Sequence, residues 1–482
     1  MKTFKYFLLV SILIYNFSYS QIKKENLIKT VEFLASEKLQ GRLPGSEGFQ
    51  LATDFMSNEF AKMKLKPISE NYFQKLKVEY NEILSPEHFA IIKNGKKTIY
   101  QLGKDYVYRG FTGSGNFTSQ VVFCGYGLSQ PNLNYDDYAN INVKDKVVLV
   151  FKYNPRWSID GKNFTDGNPR EKAIVAAKHG AKGILFVSFP NDKEPQKPIG
   201  SVINGKGEQM TNFPEIHIDL PLADELFDGS GFTLKELQTK IDSTKKPFSV
   251  NLNHQVEIEV NTHYEKEKEV ENVAAILEGT DEKLKNEFVI IGAHLDHVGS
   301  QAGKIFFPGA NDNASGSAVL LEVAKEFSKN KAKRSVVFVF FASEEQGLNG
   351  STYFANHLPF PKENVKAMIN IDCVGFGDSI QIGGGKSSPQ LWNIAKSIDE
   401  KNDKLLVSNT WAGGGADAEP FFQIGIPTLY FVSTNSYKHL HLLSDKPETL
   451  NQNLFESIAN LVYKTAFEIS NKEFYKYFMK QN

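Results

Sequence analysis

Cysteine is nearly absent: Cys124 and Cys373 are the only two in 482 residues. A chain of this size needs no disulfide, and the two fall in regions read below as different domains, so two buried free thiols are expected. An excess of one charge is also lacking. Fifty-five basic residues against 56 acidic ones leave a net charge of -1, with no basic tract, which excludes nucleic acid and anionic membranes as partners. Beyond the N-terminus no apolar run is long enough to span a bilayer, so no membrane span is expected. Arginine is scarce where it matters: from Glu271 onward there is only Arg334.

The one apolar run is short. Lys2 and Lys5 precede the apolar Phe7–Phe17, and Ser18-Tyr19-Ser20 supplies small residues at the cleavage positions. This is the layout of a secretory signal over residues 1–20, cut before Gln21. The first cysteine is Cys124, so none is available there for lipidation. The mature chain is expected to be exported, to a periplasm or the medium.

The length implies two or three domains, and 41% apolar residues suffice for sizeable cores. Asn26–Met63 has helical spacing, broken by the turn-like Gly41-Arg42-Leu43-Pro44-Gly45-Ser46. Tyr72–Phe117 reads as short, turn-rich β segments, and the charged stretch Glu257–Glu271 reads as a connector. Between them, strands around Val121–Phe123, Lys146–Phe151 and Gly183–Val187 and a helix over Glu171–His179 form a compact α/β unit. The last part alternates buried strands with helices: Phe288–Ala293, Ser317–Lys329, Ser335–Phe341, Val365–Ile371, Gln390–Lys401 and Pro427–Val432, then a C-terminal helix. This predicts an α/β three-layer sandwich with a mixed, largely parallel sheet. The expected boundaries are 21–118 for the first part of the main domain, 119–255 for the inserted unit and 256–482 for the rest.

In such sheets function gathers at the carboxyl ends of the strands. His294 and Asp296 follow Phe288–Ala293, Glu344 and Glu345 follow Ser335–Phe341, Asp372 closes Val365–Ile371, and His441 lies beyond Pro427–Val432. Asp312 sits in Gly309-Ala310-Asn311-Asp312-Asn313-Ala314-Ser315-Gly316, before a helix. Singly, each has an ordinary reading as a core histidine, an N-cap or a solvated acid. Together at one sheet edge, Asp312, Glu345 and Asp372 repel one another unless cations neutralise them. Two divalent ions and one hydroxide balance the three carboxylates. One imidazole and one terminal carboxylate per ion, with a shared carboxylate, suits zinc and would also accept cobalt or manganese. Two such ions about 3.5–4 Å apart are a standard hydrolytic arrangement.

These segments, with His294-Leu295-Asp296-His297-Val298-Gly299, Glu344-Glu345-Gln346-Gly347, Asn370-Ile371-Asp372-Cys373-Val374-Gly375 and His441 before Asp445 and Pro447, resemble the co-catalytic di-zinc aminopeptidase family of secreted leucine-type enzymes. The unit 119–255, through Val143–Val150 and Gly180–Ile184, resembles the protease-associated domain often inserted in that family. The resemblance implies peptide substrates and two Zn2+ per chain. His294 and Asp372 would hold one ion, Glu345 and His441 the other, and Asp312 would bridge. It implies Glu344 as general base and Asp296 as the acceptor that fixes the His294 tautomer. It also implies a cis peptide between Asp312 and Asn313. Relatives place Asp, Pro and Asn four, six and ten residues after the last histidine ligand, which selects His441 over His439.

The chain departs from the family where relatives carry Ser-Asp-His: here the run is Ala416-Asp417-Ala418-Glu419-Pro420. Asp417 and Glu419 are candidates for binding a substrate amine, or are first-turn helix acids. Trp411 and Tyr437 are candidates for a specificity pocket, or core aromatics. Three other readings compete. A glutaminyl cyclase of the same fold uses a single zinc, and here the second-metal set is intact. A dipeptidase or carboxypeptidase needs arginines to clamp a carboxylate, and Arg334 alone is a poor supply. A non-catalytic relative would not retain all five ligands and the base.

Overall fold

The computed structural model describes residues 21–165 and 167–472; the expected export signal, residues 1–20, lies outside them. Strands apolar on both faces must be covered on both faces. Thr428–Ser433, Val365–Ile371, Phe288–His294 and Ser335–Phe341 are of this kind, and they pair in parallel in that order. Ile380–Gly383 closes one edge antiparallel, and the C-terminal end of Ser249–Leu277 closes the other.

Alternation along Phe288–His294 shows how the layers form. Val289, Ile291 and Ala293 join one core with Val319, Val323 and Phe455 of the helices Gly316–Lys329 and Gln452–Asn471. Ile290 points the other way, to a core with Phe354 and Phe421 of Asn349–Asn356 and Glu419–Gln423. The result is the expected three-layer α/β sandwich. Strand order reverses between Phe288–His294 and Val365–Ile371, so their carboxyl ends flank a crevice of the sort where open sheets bind ligands.

A second sheet, hydrogen-bonded continuously to the first through Ser249–Leu277, carries Gly115–Cys124, Val147–Phe151, Gly183–Val187 and Glu215–Ile218 in parallel, with Tyr106–Tyr108 antiparallel at its edge. Pro169–Lys178 covers one face, and Leu220–Phe227 and Leu234–Thr244 cover the other.

Two expectations fail together, the second in part. Glu257–Glu271 is not a connector, and within Tyr72–Phe117 only the part after Lys93 is built of short strands, Lys96–Ile99 and Tyr106–Tyr108. Phe73–Lys93 and Ser249–Leu277 are strands of 21 and 29 residues that pair antiparallel as a ribbon joining both sheets. The high charge misled because the ribbon is solvated where it leaves the sheets. There Lys75 meets Glu269 at 2.7 Å and Lys77 meets Glu267 at 2.8 Å across the strands, so the charges are paired at strand period rather than disordered. Val256, Ile258 and Val260 keep the buried alternation nearer the second sheet. The expected boundary at 255/256 therefore falls inside one strand. Tyr106–Tyr108 and Gly115–Phe117, assigned above to the main domain, pair in the second sheet.

Both cysteines are buried and free. No helix among the described residues is long and apolar enough to cross a membrane.

Candidate metal centre

Residues at the carboxyl edge of the main sheet converge on Asp312. Its Oδ1 lies 3.4 Å from His294 Nε2, which is also 3.4 Å from Asp372 Oδ1. Its Oδ2 lies 3.0 Å from His441 Nε2, itself 2.9 Å from Glu345 Oε2. One carboxylate thus turns an oxygen toward each of two imidazole–carboxylate pairs. Glu344 groups with His294 and Asp372.

Local sequence explains why the loop holds this shape. The peptide between Asp312 and Asn313 is cis. The Asn311 and Asp312 N–H groups donate to the two oxygens of buried Asp445, at 2.8 and 3.0 Å. Asn311 Oδ1 accepts from the Gly375 and Phe376 N–H groups, and Asn313 Nδ2 donates to the Ile371 carbonyl. The two asparagines thereby stitch the loop to the end of Val365–Ile371. A Cβ at Gly316 would stand 2.2 Å from the Ile371 carbonyl oxygen, so only glycine permits this approach.

The electrostatics follow from burial. Burial alone lowers a histidine pKa, yet Glu344 and Asp372 push that of His294 well above its ordinary value. Burial would likewise lower His441, and Glu345 and Asp312 raise it well above the usual range. Against burial, His294 and His441 hold the Asp312 carboxyl well below the ordinary value. Glu344 is pushed well up, chiefly by burial. Among the described residues, both ring nitrogens of His294 and Oδ1 of Asp372 are buried without a hydrogen-bond partner. Buried polar atoms are normally paired. Orphaned imidazole and carboxylate atoms beside a shared carboxylate fit a pair of nitrogen- and oxygen-seeking cations.

Asp296 faces both His294 and the backbone of the two glutamates. It is 3.6 Å from His294 Nδ1, beyond hydrogen-bonding distance, and accepts the Glu344 and Glu345 N–H groups at 3.1 and 3.3 Å. It therefore fixes the backbone that carries both glutamates. His441 joins the cluster, whereas His439 bonds Ser444 Oγ at 2.9 Å and stacks edge-on against Phe376.

The candidate substrate residues separate. Asp417 is fully buried, with a pKa pushed up to about 7 by burial, and is not open to solvent. Glu419 caps its own loop, accepting from Gly414 N at 3.0 Å and Gln423 Nε2 at 3.1 Å. Asp417 therefore offers no open surface, and Glu419 is engaged within its own loop. Tyr437 is 55% exposed, and its hydroxyl lies 3.4 Å from that of Tyr430, which lies 3.4 Å from Asp372 Oδ2. Trp411 meets Tyr430 edge-on at 6.0 Å. An aromatic wall thus leads from solvent to Asp372.

Sequence reasoning missed Tyr430, His297 and Arg42. Tyr430 was hidden in a buried apolar strand. His297 Nδ1 lies 3.0 Å from Glu345 Oε1 and 3.6 Å from Asp312 Oδ2; its place in the His294–Gly299 motif was the available signal. Arg42, read as part of a turn, is completely buried and donates to the carbonyls of Leu34, Leu295, Pro308 and Gly309. It carries positive charge beneath the acidic cluster, and burial lowers its pKa only to about 10.

Residues 272–466, which contain the whole cluster, match the model of peptidase family M28. The aminopeptidase YwaD of Bacillus subtilis is 24% identical over 418 residues, spanning 83% of this chain and 78% of that protein. An aminopeptidase of Pseudomonas aeruginosa is 28% identical over 295 residues, 59% of this chain and 46% of its own length. In fold, the chain is similar to an aminopeptidase from Aneurinibacillus sp. strain AM-1, with a TM-score of 0.64, 19% identity and coverage of 94% and 95%. It is also similar to BSAP, a zinc aminopeptidase from Bacillus subtilis, with a TM-score of 0.64, 18% identity and coverage of 94% and 97%. The segment that carries Asp312 and its partners is thus the part of the chain that is similar to peptidase family M28.

Proposed function

We propose that this peptidase is an exported aminopeptidase that works with two zinc ions. The observation that carries the reading is Asp312, whose two oxygens face two separate imidazole–carboxylate pairs. His294 and Asp372 would hold one ion, Glu345 and His441 the other, and Asp312 both. Bound there, the ions supply Lewis-acid chemistry, acidifying water and polarising the scissile carbonyl.

The chain's own residues do the rest. Glu344 takes the proton of the attacking water and passes it to the departing amine, a role that needs a carboxylate beside the cluster but outside the ligand pairs. Asp296 sets its backbone position. Tyr437 and Trp411 receive the substrate's first side chain against Tyr430. Removal of residues from the amino end is favoured over the carboxyl end by where the arginines lie. Arg334 is bound to Glu287 at the amino end of its strand, Arg42 is engaged by four carbonyls, and Arg170 is held by both oxygens of Glu79. The N-terminal pattern supports export, and the sequence of the second unit supports a protease-associated domain.

The test is a pair of blocked peptides. Acetylating the amino end of a good substrate abolishes cleavage, amidating the carboxyl end does not, and a chelator stops cleavage of the unblocked and the amidated peptide alike. Equal hydrolysis of the acetylated peptide would overturn the assignment.

A further inference from the structure

The second unit reaches into the cluster. Residues 188–214, between Gly183–Val187 and Glu215–Ile218, contain no helix or strand. Connections this long within a compact domain usually have a task. This one is tied down in its first half by polar groups, Lys152, Ser188 and His217 among them buried. Lys152 Nζ and the Tyr153 hydroxyl both donate to Gln196 Oε1, at 2.6 and 2.7 Å, and Ser188 Oγ donates to the Gln196 carbonyl at 2.7 Å. His217 accepts the Ile199 N–H on Nδ1 at 3.4 Å, with Nε2 3.3 Å from Ser188 Oγ. Burial holds this histidine neutral, which leaves Nδ1 free to accept. Arg109 Nη1 donates to the Ile199 carbonyl at 3.3 Å, and Gly110 N donates to Ser201 Oγ at 3.0 Å.

Beyond these ties the chain crosses to the main domain. Gly200 N donates to the His441 carbonyl at 2.8 Å, and Asn204 Nδ2 donates to the Glu345 carbonyl at 3.3 Å. Between them Val202 is buried in a small apolar cluster with Val107, Val298 and Phe307, two from each side. At Gly200 there is no room for a side chain: a Cβ would stand 2.6 Å from Val298 Cγ2 and 3.0 Å from Phe307. The two residues reached are the pair on one side of Asp312. His294 and Asp372, on the other side, receive no bond from this segment among the described residues.

We propose that residues 196–204 are a strap through which the second unit positions Glu345 and His441, so that the unit is a working part of one of the two metal positions rather than a spacer. The proposal rests on the two-ion reading above. Gly200 and Asn204 act as positioning residues through the backbones of the residues they hold, and Lys152, His217 and Arg109 act by fixing the strap.

The test uses the full chain stripped of metal and titrated with cobalt, whose visible absorption reports ligand geometry at each of two successive equivalents. Asn204→Ala removes one exposed donor and leaves the fold alone. Gly200→Ala displaces the strap from Val298 and Phe307. Lys235→Ala, on the exposed face of Leu234–Thr244, is the control. Asn204→Ala should weaken one equivalent about 3- to 10-fold, as expected for one ordinary hydrogen bond, and alter its spectrum. Gly200→Ala should weaken the same equivalent further, the other equivalent should stay as in wild type, and Lys235→Ala should change neither. If both strap variants keep wild-type affinity and spectra, or weaken both equivalents alike, the proposal fails while the two-ion reading stands. A wild-type chain that takes up no cobalt would sink both.

Discussion

Asp445 contributes no atom to the pairs around Asp312, yet it decides where Asp312 sits. Its two oxygens accept the N–H groups of Asn311 and Asp312 at 2.8 and 3.0 Å, and all three residues are buried. Asp445→Asn keeps the shape and one acceptor and turns an amide donor toward the other N–H. The loss is one hydrogen bond to a charged group, about 1.5–3 kcal/mol, because the orphaned N–H has no water to turn to. Little of this falls on folding. Burial already pushes the Asp445 pKa up to about 6, so a neutral side chain escapes a desolvation cost that the carboxylate bears. The loss falls on the position of Asp312, which both ions would share in the proposed centre. Expressed as binding, it corresponds to about 10- to 150-fold weaker metal affinity, and it should appear at both ions. The assay is zinc content after equilibration against a graded chelator series, with the thermal transition followed in parallel. Wild-type affinity for both ions in a folded Asp445→Asn chain would refute the reasoning.

The two histidines near the end of the site should behave differently. His441→Ala should lose one zinc and nearly all activity, whereas His439→Ala should keep both metals, as measured by metal analysis and turnover. Glu344→Gln should lower kcat about 10²- to 10⁴-fold with zinc content unchanged. Loss of an ion instead would mean that Glu344 and Glu345 have exchanged roles. In the second unit, burial raises the pKa of Asp137 from 3.8 to about 7. The folded chain therefore binds this proton more tightly than the unfolded chain, and the associated stability is lost as pH rises from about 4 through about 7. Denaturant midpoints of Asp137→Asn should accordingly gain on those of wild type between pH 5 and 7, and a difference that does not vary with pH would contradict this.

What the sequence made legible was whatever depends on local pattern. The strands Phe288–His294 and Ser335–Phe341 stand within a residue of their expected ends because continuous apolar runs admit few other readings. Asp312 and its four partners were visible because strand ends concentrate them. The ribbon was not legible. Glu265–Glu269 is charged at every position, so both alternating faces read as polar there, and only the pairing of Glu257–Glu271 with Phe73–Lys93 explains the composition. Arg42 was missed for a related reason. An arginine within Gly-Arg-Leu-Pro-Gly reads as a solvated turn until the fold brings Leu295, Pro308 and Gly309 around it. The same holds for the strap: nothing in Ile199–Asn204 announces that its donors will meet His441 and Glu345. Local chemistry names the candidate ligands, and long-range pairing supplies what holds them.

The central claim is that Asp312 is shared by two ions. Anomalous diffraction at the zinc edge, from crystals of the zinc-loaded chain, measures this directly. The account predicts two peaks about 3.5–4 Å apart, one beside His294 and Asp372, the other beside Glu345 and His441, with an oxygen of Asp312 on each. A single peak, or two peaks of which only one touches Asp312, would contradict it.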